Sequence, residues 1–189
     1  MRSFFTLVMI CTLVCGNAQS GEIPSKAWQL KTAVLALPEV YREQATVLGY
    51  NPAGELVTLR QGTNEFICLG DDPKKEGFSV AAYHKELEPY MARGRELRKQ
   101  GKESGEIFDI REEEVKSGSL PMPDKSTLYV ANGEVDDAGE VQNLKVRFVV
   151  YIPYATAEST GLSPAPIGPG APWIMNPGTH RAHIMITPE

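Results

Sequence analysis

The stretch from Leu144 to Glu189 constrains the fold most. It opens on the apolar run Val146-Arg147-Phe148-Val149-Val150-Tyr151-Ile152 and closes on Ala182-His183-Ile184-Met185-Ile186. Each run is long enough for a core strand. Between them lie about thirty residues with no helical or strand periodicity, far more than an ordinary connection needs. A connection of that length in a compact domain is either functional or disordered. This stretch carries Tyr151, Tyr154, Ser159, Trp173, His180 and His183, so a site is expected there.

Residues 1–20 read as a secretory leader. Arg2 supplies a positive start, Phe4 to Cys15 is uncharged and mostly apolar, and Gly16-Asn17-Ala18-Gln19-Ser20 offers small residues for cleavage near Ala18 or Ser20. An apolar run of about twelve is too short for a bilayer, which needs about 20. Ile10 and Val14 stand before Cys11 and Cys15 where a lipoprotein signal requires a small residue. The expectation is an exported protein, periplasmic or extracellular, whose residues 21–189 form a single globular domain with its own core. Two of the three cysteines leave with the leader, and the remaining Cys68 has no intramolecular disulfide partner. The chain carries 19 basic and 24 acidic side chains, and loss of Arg2 makes it more acidic still. That balance disfavours nucleic acid and anionic membrane as partners.

Within the mature chain, Ser25 to Leu37 reads as a capped helix stopped by Pro38. Residues 45–60 read as a hairpin around Asn51-Pro52-Ala53-Gly54, and 65–69 and 78–84 as further strands of an antiparallel meander. Glu86 to Gln100 has the clearest amphipathic helical pattern, with Pro89 tolerable only in the first turn. Ser104 to Lys116 is a second, acidic helix. Thr127 to Val130 is strand-like, and the acidic residues 132–143 read as a solvated loop. The expected fold class is therefore α+β: one mostly antiparallel sheet of about five to six strands, two or three helices and a long Pro/Gly-rich C-terminal loop.

The segments Thr46-Val47-Leu48-Gly49-Tyr50, Gly62-Thr63-Asn64, Asp71-Asp72-Pro73, Tyr83-His84 and Leu87-Glu88-Pro89 go together with Tyr151 to Gly161 and Pro177-Gly178-Thr179 before Ala182 to Ile186. In that combination the chain resembles a family of exported bacterial proteins of unassigned activity. The resemblance spans most of the mature chain. It implies no reaction, ligand or catalytic residue. It also implies that His180 is peripheral and that His183 is the histidine to watch.

Three constellations could carry chemistry. Cys68, Asp71, Asp72, His84, His180 and His183 offer ligand types for a transition metal, but without motif spacing; Cys68, His84 and His183 are its best members. The competing reading is a buried inert thiol, a hydrogen-bonded His183 and a surface His180. A Ser or Cys nucleophile with His84 or His183 would make a hydrolase-like enzyme, metal-dependent or His-assisted, yet no Gly-x-Ser-x-Gly elbow is present. Third, Tyr83, Tyr151, Tyr154, Trp173 and Met175, with His84 and His183 as polar groups, suit a pocket for a small molecule or peptide beside the long loop. Non-covalent binding without a cofactor is the favoured expectation. The alternatives are an enzyme built on His84 and His183, and a subunit whose aromatic loop packs on a protein partner.

Overall fold

The computed structural model describes residues 22–188. The expected leader and its expected cleavage site lie outside the described residues. The element order is α1 (Lys26–Thr32), α2 (Glu39–Arg42), β1 (Thr46–Tyr50), β2 (Leu56–Arg60), β3 (Phe66–Leu69), β4 (Phe78–His84), α3 (Glu88–Lys99), α4 (Ser104–Lys116), β5 (Ser126–Val135), β6 (Val141–Tyr151), α5 (Ala157–Thr160), β7 (Trp173–Met175) and β8 (His183–Ile186). The eight strands form one sheet in the order β2-β1-β3-β4-β5-β6-β8-β7.

This corrects the expected sheet of five to six mostly antiparallel strands with two or three helices. Among the described residues the sheet has eight strands, is mixed because β1 and β3 run parallel, and is accompanied by five α-helices. The parallel pair has a local cause. After the β1–β2 hairpin the chain crosses the start of β1 instead of turning back beside β2. Thr63 and Asn64 donate their backbone N–H groups to the Gln44 carbonyl, and Gly62 donates to Thr46 Oγ1. A Cβ at residue 62 would sit 2.3 Å from Gln44 O and Thr46 N, so only glycine passes. Residues 132–143 also differ from expectation. They continue β5 and β6 into a long hairpin whose largely exposed tip has the polar composition of a loop. Two of the missing elements, α5 and β7, lie inside the connection expected to be structureless.

Strand alternation sends successive side chains to opposite faces, so the sheet has two cores. On one face, Val47, Cys68, Phe78, Val80, Ala82 and Ala131 pack under α1 and the turns that follow it. Helix α1 starts at its Ser25 cap, which accepts from Trp28 N at 3.2 Å, and ends at Thr32, not Leu37. Buried Gln29 docks it: Oε1 accepts from Tyr50 N and Nε2 donates to the Tyr50 and Pro24 carbonyls. Trp28 Nε1 reaches the Gly139 carbonyl at 2.7 Å, which folds the β5–β6 hairpin tip over the helix. On the other face, Tyr83, Leu128, Val149, Tyr151 and Met185 pack under Leu87 and Tyr90 of the α3 region.

Candidate functional site

The second face owes its character to the α3–α4 pair. A 3-10 turn at Lys85–Leu87, capped by His84 Nδ1, leads into α3, with Pro89 in its first turn. Tyr90, Gly94 and Leu97 make the buried stripe. A reciprocal cap between Glu103 and Glu106 starts α4, which buries Ile107 and Arg111. The helices close on each other at Gly94, where a Cβ would meet Arg111 Nη1 at 2.9 Å. The Arg111 guanidinium lies 4.1 Å from the centre of the Tyr90 ring, a cation–π contact that offsets part of the cost of burying a charge.

Beneath the pair lies a polar cluster. His180 is fully buried, between the rings of Phe108 and Tyr90 at 4.7 and 5.6 Å between centroids. Its backbone N–H and its Nδ1 both bond Glu112 Oε2, and Lys116 pairs with the other carboxylate oxygen at 2.8 Å. Burial alone would raise the Glu112 pKa, but these bonds overcome it and hold the carboxyl at about 2. Burial lowers the pKa of His180 despite the carboxylate, so the ring is neutral, with its proton on Nδ1. His183 is also lowered by burial; its Nδ1 donates to the Arg181 carbonyl at 2.6 Å, and its ring lies 5.2 Å from that of Tyr151. Tyr90 and Tyr151 are both pushed up by burial, against the nearby charges of Arg111 and Arg181.

Adjacent to this cluster a cleft of about 400 Å³ opens between the sheet and the C-terminal connection. The sheet contributes Arg147, Trp173, Met175 and Met185, and the connection contributes Pro166 and Pro169. Strand register explains the assembly: Met175 lies opposite His183, and His183 opposite Tyr151, so cleft and polar cluster share one row of the sheet. The connection is tied down at Gly170 N to Thr187 O (3.0 Å) and Ile174 N to Ser163 O (2.9 Å). Arg147 stands in register with buried Val149 and Tyr151. Its Nε is buried and has no hydrogen-bond partner among the described residues. An orphaned donor of this kind costs about 1–3 kcal/mol, and an arginine cannot escape the cost by losing its proton.

The expected site residues divide. Tyr151 and His183 come together in the polar cluster, and Trp173 lines the cleft. Tyr154 does not line the cleft: it is exposed, with a positive φ of 64°, its N–H bonded to the Thr179 carbonyl, and feels the charges of Glu112 and Lys116. Tyr83 is elsewhere, donating to Glu88 at 2.5 Å and accepting from Arg95. His84 lies on the opposite face of the sheet from His183, edge-on to Phe66, and three strands away, about 14 Å by strand spacing. The two histidines do not converge. Cys68 is buried under α1, its thiol pushed up to about 12 by burial. Among the described residues no three His, Cys, Asp or Glu side chains gather as metal ligands.

His180 is a further correction: expected at the surface, it is the most enclosed histidine. Tyr90, Arg111, Glu112 and Arg147 are absent from the residues that sequence reasoning singles out. Arg147 alone leaves a signal there, as a charge at an inward position of an apolar run. No protein family, no curated protein and no solved structure matches the chain. Fold and site geometry therefore carry the functional reading.

Proposed function

We propose that this protein is an exported, non-covalent binder of a small molecule or peptide, with its seat in the cleft beneath the C-terminal connection. The carrying observation is the cleft itself: about 400 Å³, within the range of small-ligand sites, walled by Trp173, Met175 and Met185 and supplied with one polar anchor, Arg147. The prolines at 164, 166, 169 and 172 stiffen the outer wall, so little ordering is required when a ligand enters. The neighbouring Tyr151–His183 row backs the cleft through Met175, which stands opposite His183. The exported location rests on residues 1–20 of the sequence.

The chain has two tryptophans. A Trp28→Phe variant therefore leaves Trp173 as the sole indole reporter. Titration of that variant with a compound library is expected to give at least one chemical class that changes Trp173 emission saturably. The same compounds should raise the melting temperature with the logarithm of their concentration. A library with no such class would overturn the reading.

A further inference from the structure

We infer that the occupant of the cleft carries a single anionic group of the carboxylate type, seated on Arg147, with an apolar body against Trp173, Met175 and Met185. The inference rests on the reading of the cleft as a binding site and gives that site its ligand class. Arg147 comes from the middle of β6, an interior strand, and points to the same face as Val149 and Tyr151. It is the one charged side chain among the residues that line the cleft. It makes no ion pair with any described residue, and its Nε finds no acceptor. Three other arginines on this face are provided for differently: Arg93 and Arg95 pair with Glu114 and Glu88, and Arg111 lies on Tyr90.

A guanidinium presents a planar fork whose geometry matches two oxygens of a carboxylate. With one cation and no helix N-terminus in the wall, the site balances one negative charge. A phosphate monoester, close to a dianion at neutral pH, would be left with uncompensated charge against methionine and proline. The apolar wall selects the rest of the molecule, because a small hydrophilic acid would leave Trp173 and the methionines unfilled. A free apolar acid and the C-terminus of a hydrophobic peptide present the same chemistry.

The test uses the Trp28→Phe protein and five probes: octanoate, 3-phenylpropanoate, 3-phenylpropanamide, phenyl phosphate, and leucylphenylalanine with its C-terminal amide as control. 3-Phenylpropanoate and leucylphenylalanine are expected to bind at least tenfold more tightly than their amides. Leucylphenylalanine against the free acids decides which source supplies the carboxylate. Arg147→Met should abolish the acid-over-amide preference without lowering the melting temperature, and Arg147→Lys should keep part of it. Amides that quench Trp173 as tightly as acids leave the cleft a binding site and overturn the anion. The carboxylate class is likewise overturned if phenyl phosphate binds tenfold tighter than the carboxylates, or if Arg147→Met keeps the preference. If no probe changes Trp173 emission while the library yields another chemical class, the carboxylate class is overturned and the cleft stays a binding site.

Discussion

The two faces of the sheet solve the same packing problem in different ways. Under α1 the buried polar side chains are Gln29 and Thr32, and both are satisfied, Gln29 by three backbone bonds and Thr32 by the Trp28 carbonyl. Under α3 and α4 the interior holds Tyr90, Arg111, Ser126, Arg147 and His180. All five buried side-chain atoms without a partner among the described residues belong to this face: Tyr90 Oη, Arg111 Nε, Ser126 Oγ, Arg147 Nε and His180 Nε2. Orphaned polar atoms are destabilising, and proteins retain few of them. Their confinement to one face leaves the α1 side fully satisfied among the described residues and gathers the unpartnered donors and acceptors on the other.

That contrast can be broken most directly on the α1 face. Phe78→Ala empties the ring packed edge-on against Trp28 and should cost about 3–5 kcal/mol in denaturant unfolding while leaving cleft binding unchanged. Altered binding in that variant would show that the faces are not separable. Next in size, Glu112→Gln removes the charged acceptor of buried His180 and should cost about 2 kcal/mol.

The same pair sets the acid limb of stability. Glu112 titrates at about 2 when folded against 4.5 ordinarily, so its contribution is complete above pH 4.5 and disappears as pH falls toward 2. His180 and His183 are lowered from 6.5, so the unfolded chain takes up protons first and stability begins to fall below about pH 6.5. Melting followed from pH 7 to pH 3 should decline throughout, and Glu112→Gln should flatten the lower part. An unflattened curve would assign that limb to other carboxylates.

Arg147→Met should raise stability by about 1 kcal/mol, since it replaces an orphaned donor by an apolar chain of similar length. Smallest of all, Lys31→Ala deletes the exposed Lys31–Glu140 pair and should change stability by under about 0.5 kcal/mol.

Local signals are legible in the sequence where local chemistry fixes the structure. Helix α4 has the bounds that its periodicity and flanking glycines indicate, and α1 begins at the serine that can cap it. Strand neighbours are not legible, because an apolar run specifies a buried strand and not the strand beside it. The crossing at Gly62, a three-residue Gly-Thr-Asn segment, looks like any other turn until its contact with Gln44 is known. The site is half legible. Tyr151, Trp173 and His183 sit where aromatic and imidazole groups flank a long connection. His180 and Glu112 meet across 68 positions of sequence, a pairing no local pattern contains. Tyr83 and His84 suggest themselves by residue type alone: Tyr83 shares the face of the cleft but stands three strands away from β8, and His84 points to the opposite face.

The order of strands at one end of the sheet makes the cleft depend on the end of the chain. Strand β7 pairs within the sheet only with β8, and β8 joins the rest through β6. Trp173 is therefore held to the sheet through His183–Ile186. A chain cut between Met175 and His183 is expected to lose the wall of the cleft together with buried His183 and Met185. Trp173 emission thus serves as a gauge of whether the C-terminal strand is in place, independent of whatever the cleft holds.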